Sequence, residues 1–393
     1  MDFNLFVNLL AALFSFFVVG AVLGALFSKP IRKKLTRVLY TTKERLKIFK
    51  PLLRLDKSIH NPILQPGKHL WTGEAVLNPA AAVLGGRTHL VYRAIGADGV
   101  SRLGYASSPD GVHFDERLSY PIYAARNPHN VAMNRRHYSP IMYPSGGSWG
   151  GCEDPRMVVV DGWVYVTFNM FDNWTLRVAV IAMREEDFLK KRFHMWEGPI
   201  MLSHGKRDKN WVLFPEKIGG QFAILHSILG EDESRVRVEY SDDLESLAQR
   251  RFESPDPQKI PDRLIAWHVH TRSAGPPPLR TDKGWLVLYH ANDAHEPNQY
   301  KVGAMLLDLV DPSRVLYRAI APVISPDEHY ENNGKPGIVY ACGAVVRDGT
   351  LFVYYGGADK VVCVASTPLN AFVDAIIAGD QPELITFIPA ETM

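Results

Sequence analysis

Five times along this chain a glycine-containing turn leads directly into a short run of Val, Leu, Tyr, Phe and Trp that ends near an aromatic ring or a histidine. The runs are Gly86–Tyr92, Gly162–Phe168, Gly220–His226, Gly284–His290 and Gly349–Tyr355. Turn glycines spaced by about sixty residues, with room for two or more hairpins between them, mark a radially repeated β architecture. Following strands echo one another as well, in Leu103–Asp110, Val178–Ala182 and Val361–Ser366. Few segments after Asn61-Pro62 have the length of a helix, so the spacing predicts an all-β, five-bladed β-propeller over residues 57–393. A closed antiparallel sandwich explains short strands but not the regular turns.

With 46% hydrophobic and 22% charged residues, the 393-residue chain is that of a folded protein. Its first part reads differently. Leu5 to Phe27 is free of charge, and at about 1.5 Å per residue a helix of that length crosses a bilayer core. Asp2 precedes the run, while Lys29, Arg32, Lys33, Lys34 and Arg37 follow it, so residues 1–28 read as an uncleaved transmembrane anchor with the large domain on the cytoplasmic side. Residues 29–56 read as a basic amphipathic juxtamembrane linker, with Ile31, Leu35, Val38 and Leu39 at helical spacing. Three cysteines give no disulfide framework and suit a reducing compartment.

Residues 29–54 carry ten Lys/Arg against Glu44 alone, which leaves the chain from residue 55 onward net negative. Nucleic acid is thereby excluded as a partner of the main domain, and anionic lipid is the partner expected of the linker. The histidines show no metal-ligand spacing, so no metal is expected.

A propeller brings inner-strand ends together at a central funnel. The polar residues expected there are Asn78 and Arg93 from the first unit, Asp154 and Arg156 from the second, and Lys209, Glu216 and His226 from the third. The fourth contributes His290 and Asp293, and the fifth Asp359. The densest cluster is Gly151-Cys152-Glu153-Asp154-Pro155-Arg156, set before the apolar run Met157–Val160. Pro155 fixes its own φ and is expected to hold Asp154 in extended backbone, aiming carboxylate and guanidinium from a stiff turn.

Together, Asn78-Pro79-Ala80-Ala81, Tyr92-Arg93-Ala94, Ser101–Ala106, Glu153-Asp154-Pro155-Arg156, Leu213–Ile218, Ala274–Pro278 and Gly356-Gly357-Ala358-Asp359 resemble glycoside hydrolase family 130, the β-mannoside phosphorylases and related mannosidases. The match runs from about Asn61 to about Asp374 in the family's order. The resemblance implies a five-bladed propeller that breaks β-mannosidic bonds with inversion. Asp154 is then the proton donor, acting through a sugar hydroxyl, and inorganic phosphate is the co-substrate, with no cofactor. An anionic nucleophile needs no second carboxylate as base, but it does need cations to hold it. On this resemblance Arg93, Lys209, Asn78, Arg156 and His226 form the phosphate cradle, and Asp359, with His290 and Asp293, contacts the sugar.

The chain also departs from the family pattern. Ser227 follows His226 where phosphorylases carry arginine, and Asn210 follows Lys209 where they carry aspartate. One charged hydrogen bond is worth about 1.5–3 kcal/mol, so its loss weakens phosphate binding by about ten- to a hundredfold. The expected reaction is reversible mannosyl transfer to phosphate giving α-mannose 1-phosphate. The alternatives are an inverting hydrolase using Glu216, Glu231 or Glu233 to activate water, and a carbohydrate-binding propeller without catalysis.

Overall fold

The computed structural model describes residues 54–125, 137–204, 208–228, 234–250, 270–292 and 296–379. After a short strand β1 (Asp56–Lys57), the strands fall into consecutive antiparallel units. The first holds β2 (Ala75–Leu84), β3 (Arg87–Ile95), β4 (Val100–Ser108) and β5 (Glu116–Arg117), and the second β6 (Gly150–Val160), β7 (Trp163–Phe171), β8 (Leu176–Arg184) and β9 (Glu197–Met201), the two joined into one sheet where β4 runs parallel to β6. The third is β10 (Val212–Leu213), β11 (Phe222–Ser227) and β12 (Arg237–Ser241). The fourth is β13 (His270–Ala274), β14 (Leu279–Thr281), β15 (Gly284–Asn292), β16 (Lys301–Leu307) and β17 (Val315–Arg318), and the fifth β18 (Val339–Arg347), β19 (Thr350–Gly357) and β20 (Val361–Pro368). The fold is all-β and propeller-like.

The recurring sequence runs are the second strands of these units, each entered through a hairpin turn. Asp161-Gly162 and Asp348-Gly349 both carry positive φ, 51° and 74° in one and 48° and 75° in the other. Such Asp-Gly turns match the right-handed twist of the strands they join. Apolar clusters form between neighbouring units. Val158 and Val180 meet Ile224 and Leu244 between the second and third, and Leu90 and Tyr92 meet Tyr354 and Val364 between the first and fifth.

The ends of the described chain are tied together. β1 pairs with β20, Asp56 opposite Ser366 and Lys57 opposite Ala365. The Asn61 side chain extends the ladder, donating to Val364 O at 2.9 Å and accepting from Val364 N at 2.8 Å. Lys57 Nζ reaches Glu331 Oε2 at 2.6 Å and Ser325 O at 2.7 Å. Glu331 is fully buried and also accepts from Tyr355 Oη at 2.8 Å.

The inner strands are interrupted at matching places. The β2–β3 register shifts between Leu77 and Ala80, and the β6–β7 register between Glu153 and Arg156. Proline cannot donate to the ladder, so Asn78-Pro79 and Asp154-Pro155 form bulges. This corrects the extended backbone expected at Asp154: its φ is +50°, and that of Asn78 is +48°. The bulge, rather than the preference of a residue preceding proline, sets the conformation.

The single-pass membrane placement with a cytoplasmic domain is also corrected. Among the described residues no helix is long and apolar enough to cross a membrane. The longest, Leu369–Gly379, has 11 residues and spans about 17 Å. The anchor expected over residues 1–28 and the linker over 29–56, apart from its last three residues, lie outside the described residues, as do Asp293, Glu231 and Glu233.

Lys57→Met leaves the Glu331 carboxyl buried without its cation. We expect a loss of about 2–3 kcal/mol at pH 7, read as a lower denaturation midpoint. Burial pushes Glu331 up from the ordinary glutamate value even with Lys57 present. In the variant its proton is therefore held more tightly folded than unfolded, and the deficit shrinks as pH falls towards 5. A pH-independent loss would show that Lys57 acts through packing alone.

Candidate active site

The two bulges turn Asn78 and Asp154 towards each other, and Asn78 Nδ2 donates to Asp154 Oδ1 at 2.7 Å. Arg93, buried on β3, sits beneath both. Its Nη1 donates to Asp154 Oδ1 at 3.1 Å and its Nη2 to Glu153 Oε1 at 2.8 Å. Nε donates to Ser101 Oγ at 2.9 Å, and Nη2 also reaches Ser145 O at 2.8 Å. The guanidinium is thus fixed between two consecutive carboxylates. Glu153 is held in turn by Ser145 Oγ at 2.8 Å and Ser148 Oγ at 3.0 Å.

Above this network lies a cavity of about 300 Å³ lined by Asn78, Arg93, Asp154, Lys209, Lys335 and Asp359, with the rings of Tyr300 and Tyr340. Lys335 Nζ is 3.6 Å from Asp359 Oδ2 and donates to Pro144 O at 2.9 Å. A neighbouring lobe of about 270 Å³ shares Pro144, Gly146, Lys335 and Asp359 and adds Glu74, Tyr138 and Lys360. The second half of the 120–148 insertion therefore forms one wall of the site. Its residues 126–136 lie outside the described chain.

The carboxyls divide by environment. Burial pushes Asp154 up, but Arg93, Arg156, the Asn78 hydrogen bond and Lys209 outweigh it and hold the group below the usual aspartate value. Burial wins at Glu153 despite Arg93, and at Asp359 despite Lys335 and Arg93, so both are raised. Asp154 is accordingly ionised at neutral pH in the free enzyme.

The remaining expected residues lie around this centre rather than on its lining. Arg156 is buried and braces two units, its Nε donating to Gly275 O at 3.0 Å and its Nη1 to Asp154 O at 2.7 Å. His290 is buried beneath Tyr340, with ring centroids 3.8 Å apart, and its Nε2 accepts from Ala341 N at 2.9 Å. Burial, then Arg156, lowers its pKa to about 3, so it is a neutral support for Tyr340. His226 packs on Trp211, 3.6 Å from Glu239 Oε1, and burial followed by Arg237 lowers its pKa to about 4. Glu216 is half-buried, away from the cavity lining, and pairs with Arg280.

Lys335, Tyr300, Tyr340 and the Ser145-Gly146 turn were not anticipated from the sequence. Lys335 did carry a signal: it stands in Gly334-Lys335-Pro336-Gly337, the same punctuation as around Asp154.

The glycine at 356 is required by space. A Cβ there would collide with Asn78 Oδ1, an atom that is buried without a hydrogen-bond partner.

Comparison with known proteins gives a consistent picture. The family description beta-1,4-mannooligosaccharide phosphorylase matches residues 44–377. The chain is 33% identical over 329 residues to a 1,2-beta-oligomannan phosphorylase of Thermoanaerobacter sp. (strain X514), covering 80% of this chain and 97% of that protein. It is 32% identical over 330 residues to a beta-1,2-mannobiose phosphorylase of the same organism, with the same coverage. Among solved structures, Listeria innocua beta-1,2-mannobiose phosphorylase in complex with beta-1,2-mannobiose superposes with a TM-score of 0.61 at 21% identity. The match covers 82% of this chain and 99% of that one, and supports the fold.

A sugar-sized cavity with an acid, fixed cations and aromatic walls on this scaffold is that of an enzyme acting on carbohydrate. The chain belongs to glycoside hydrolase family 130, the mannoside phosphorylases.

Gly356→Ala is expected to displace Asn78 and cost about 1–3 kcal/mol of overpacking. Losing the Asn78 hydrogen bond to a charged group, about 1.5–3 kcal/mol, lowers kcat on β-mannosides by about ten- to a hundredfold. Adding Asn78→Ala should recover stability but not turnover, as thermal melts and initial rates will show.

Proposed function

We propose that residues 54–379 form a five-bladed propeller whose central cavity cleaves β-mannosidic bonds by phosphorolysis with inversion. The observation that carries this reading is the direct contact of Asp154 with Arg93 at a cavity also lined by Lys209 and Lys335. Three cations against two lining carboxylates suit a site that takes up an anion. Lys335 offsets the cation missing at Ser227. Arg156 and His226 act from behind the lining, the first by fixing the Asp154 backbone and the second as a neutral donor. Asp359 and Tyr340 contact the sugar, with His290 supporting the tyrosine.

In this scheme a phosphate oxygen attacks the anomeric carbon while the glycosidic C–O bond breaks on the opposite face. Asp154 supplies the proton to the departing oxygen through a sugar hydroxyl. The proton carried by monohydrogen phosphate restores Asp154, so the products are α-mannose 1-phosphate and the shortened saccharide. The names of the relatives at 32–33% identity favour the β-1,2 linkage for this chain. Further mannosyl units have room in the neighbouring lobe.

With β-1,2-mannobiose and millimolar phosphate, proton and phosphorus NMR should show phosphate-dependent α-mannose 1-phosphate, with Asp154→Asn binding the disaccharide but not turning it over. Free mannose formed at the same rate without phosphate would make the chain a hydrolase; an Asp154→Asn variant with undiminished turnover would remove the acid assignment.

The pH dependence gives a second check. A general acid loses activity as pH rises through its pKa, and in the free enzyme the cations hold Asp154 low. Bound phosphate offsets Arg93 and Lys209, so the alkaline limb of kcat should lie at higher pH than that of kcat/KM. Coincident limbs would show that phosphate does not act on Asp154.

A further inference from the structure

A larger cavity, of about 340 Å³, lies elsewhere in the molecule and shares no lining residue with the catalytic centre. Its size is within the range of about 300–1,000 Å³ usual for small-molecule sites. It opens between the second and third units, where the β8–β9 register shifts between Val180 and Ala182. Trp163 and Tyr165, two apart on β7 and so on one face, stand beside Phe222 of β11. Tyr165 and Phe222 meet edge to face at 5.5 Å.

The polar groups at this cavity are acceptors. Glu197, Asp243 and Glu245 line it, and the negative charges of Asp161, Glu245 and Glu197 are felt at the Tyr165 hydroxyl. Asp243 is engaged with Ser246 N at 2.5 Å. Among the described residues the Glu197 and Glu245 side chains and the Tyr165 hydroxyl have no hydrogen bond or ion pair. Unpaired carboxylates repel phosphate and other anions, and they accept hydrogen bonds from hydroxyl groups. A cation is the other ligand such a rim attracts, and two side-chain cations already stand at its rings. The Arg184 guanidinium lies 4.2 Å from the Trp163 centroid and Lys217 Nζ 4.9 Å from that of Phe222. Ring surface beside carboxylates that pair with no cation matches a pyranose with its apolar C–H face and its rim of hydroxyls.

We propose that this cavity is a second, non-catalytic β-mannoside site that retains the enzyme on longer chains while the central cavity turns them over. The choice of β-mannoside rests on the catalytic reading above; the preference for a neutral sugar rests on the cavity itself.

The test is calorimetric titration of full-length Asp154→Asn protein with β-1,2-mannotetraose. Two binding sites are expected, with the second weakened at least tenfold by Trp163→Ala and about three- to tenfold by Glu245→Gln, a surface change that leaves the apolar packing alone. In the otherwise wild-type protein neither substitution should change kcat/KM on β-1,2-mannobiose by more than about twofold. A single site that neither substitution weakens would overturn the proposal, as would tetramethylammonium binding at the cavity without oligosaccharide binding. Absence of phosphorolysis together with a Trp163-dependent site would remove the catalytic reading alone, and phosphorolysis with one site would remove this one alone.

Discussion

One buried guanidinium organises the centre of this protein. Arg93 lies between Glu153 and Asp154, with Ser101, Ser145 and Ser148 accepting from its other hydrogens. Taking an arginine and two carboxylates out of water costs several kcal/mol per ion, and their mutual attraction only roughly offsets this. The network is therefore poor evidence for stability and good evidence for a site. Its geometry holds one carboxylate, Asp154, at the cavity and locks the other, Glu153, behind the same cation. An enzyme that must place a proton to within a fraction of an ångström gains from such over-determined positions.

The backbone makes the same arrangement possible. Regular β2 and β6 ladders would place successive side chains alternately on the two sheet faces. The Asn78-Pro79 and Asp154-Pro155 bulges break that alternation and bring two polar side chains from neighbouring units into contact at 2.7 Å. A left-handed backbone at a residue other than glycine costs about 1–3 kcal/mol and persists only where the surroundings enforce it. Here the enforcement comes from Arg156, which ties the Asp154 carbonyl to the fourth unit, and from Gly356, whose lack of a side chain leaves room for Asn78.

Much of this was legible in the sequence, for reasons that differ from residue to residue. The turn glycines revealed the units because each hairpin needs positive φ at its corner. Asp154, Arg93, Asn78, Lys209 and Asp359 stood out as polar residues at strand ends, and they do line one cavity. Burial was not legible. His290 and Arg156 were expected at the funnel on the same ground, but sequence position does not say whether a side chain faces the funnel or the wall behind it. Lys335 and Tyr340 belong to a unit whose only anticipated site residue was Asp359. Tyr340 occupies an inner-strand start that looks, by composition, like any aromatic core position. The apolar length of residues 5–27 was a statement about hydropathy alone, and nothing in the described chain extends it.

The electrostatics of Asp154 bear on how the proposed reaction acquires its proton. A proton donor in phosphorolysis is, by microscopic reversibility, a proton acceptor in synthesis. The cations that would hold phosphate keep Asp154 ionised in the free enzyme, so cleavage must begin with the uptake of a proton as well as of phosphate. Synthesis takes up the same proton, because phosphate must leave mannose 1-phosphate as monohydrogen phosphate while Asp154 accepts the proton of the incoming sugar hydroxyl. Mannose 1-phosphate also brings its own dianion to the cations, and that dianion raises the proton affinity of Asp154 as the acceptor hydroxyl arrives. A cradle that touches its own acid thus couples anion binding to proton binding, and in the proposed scheme that coupling serves cleavage and synthesis alike.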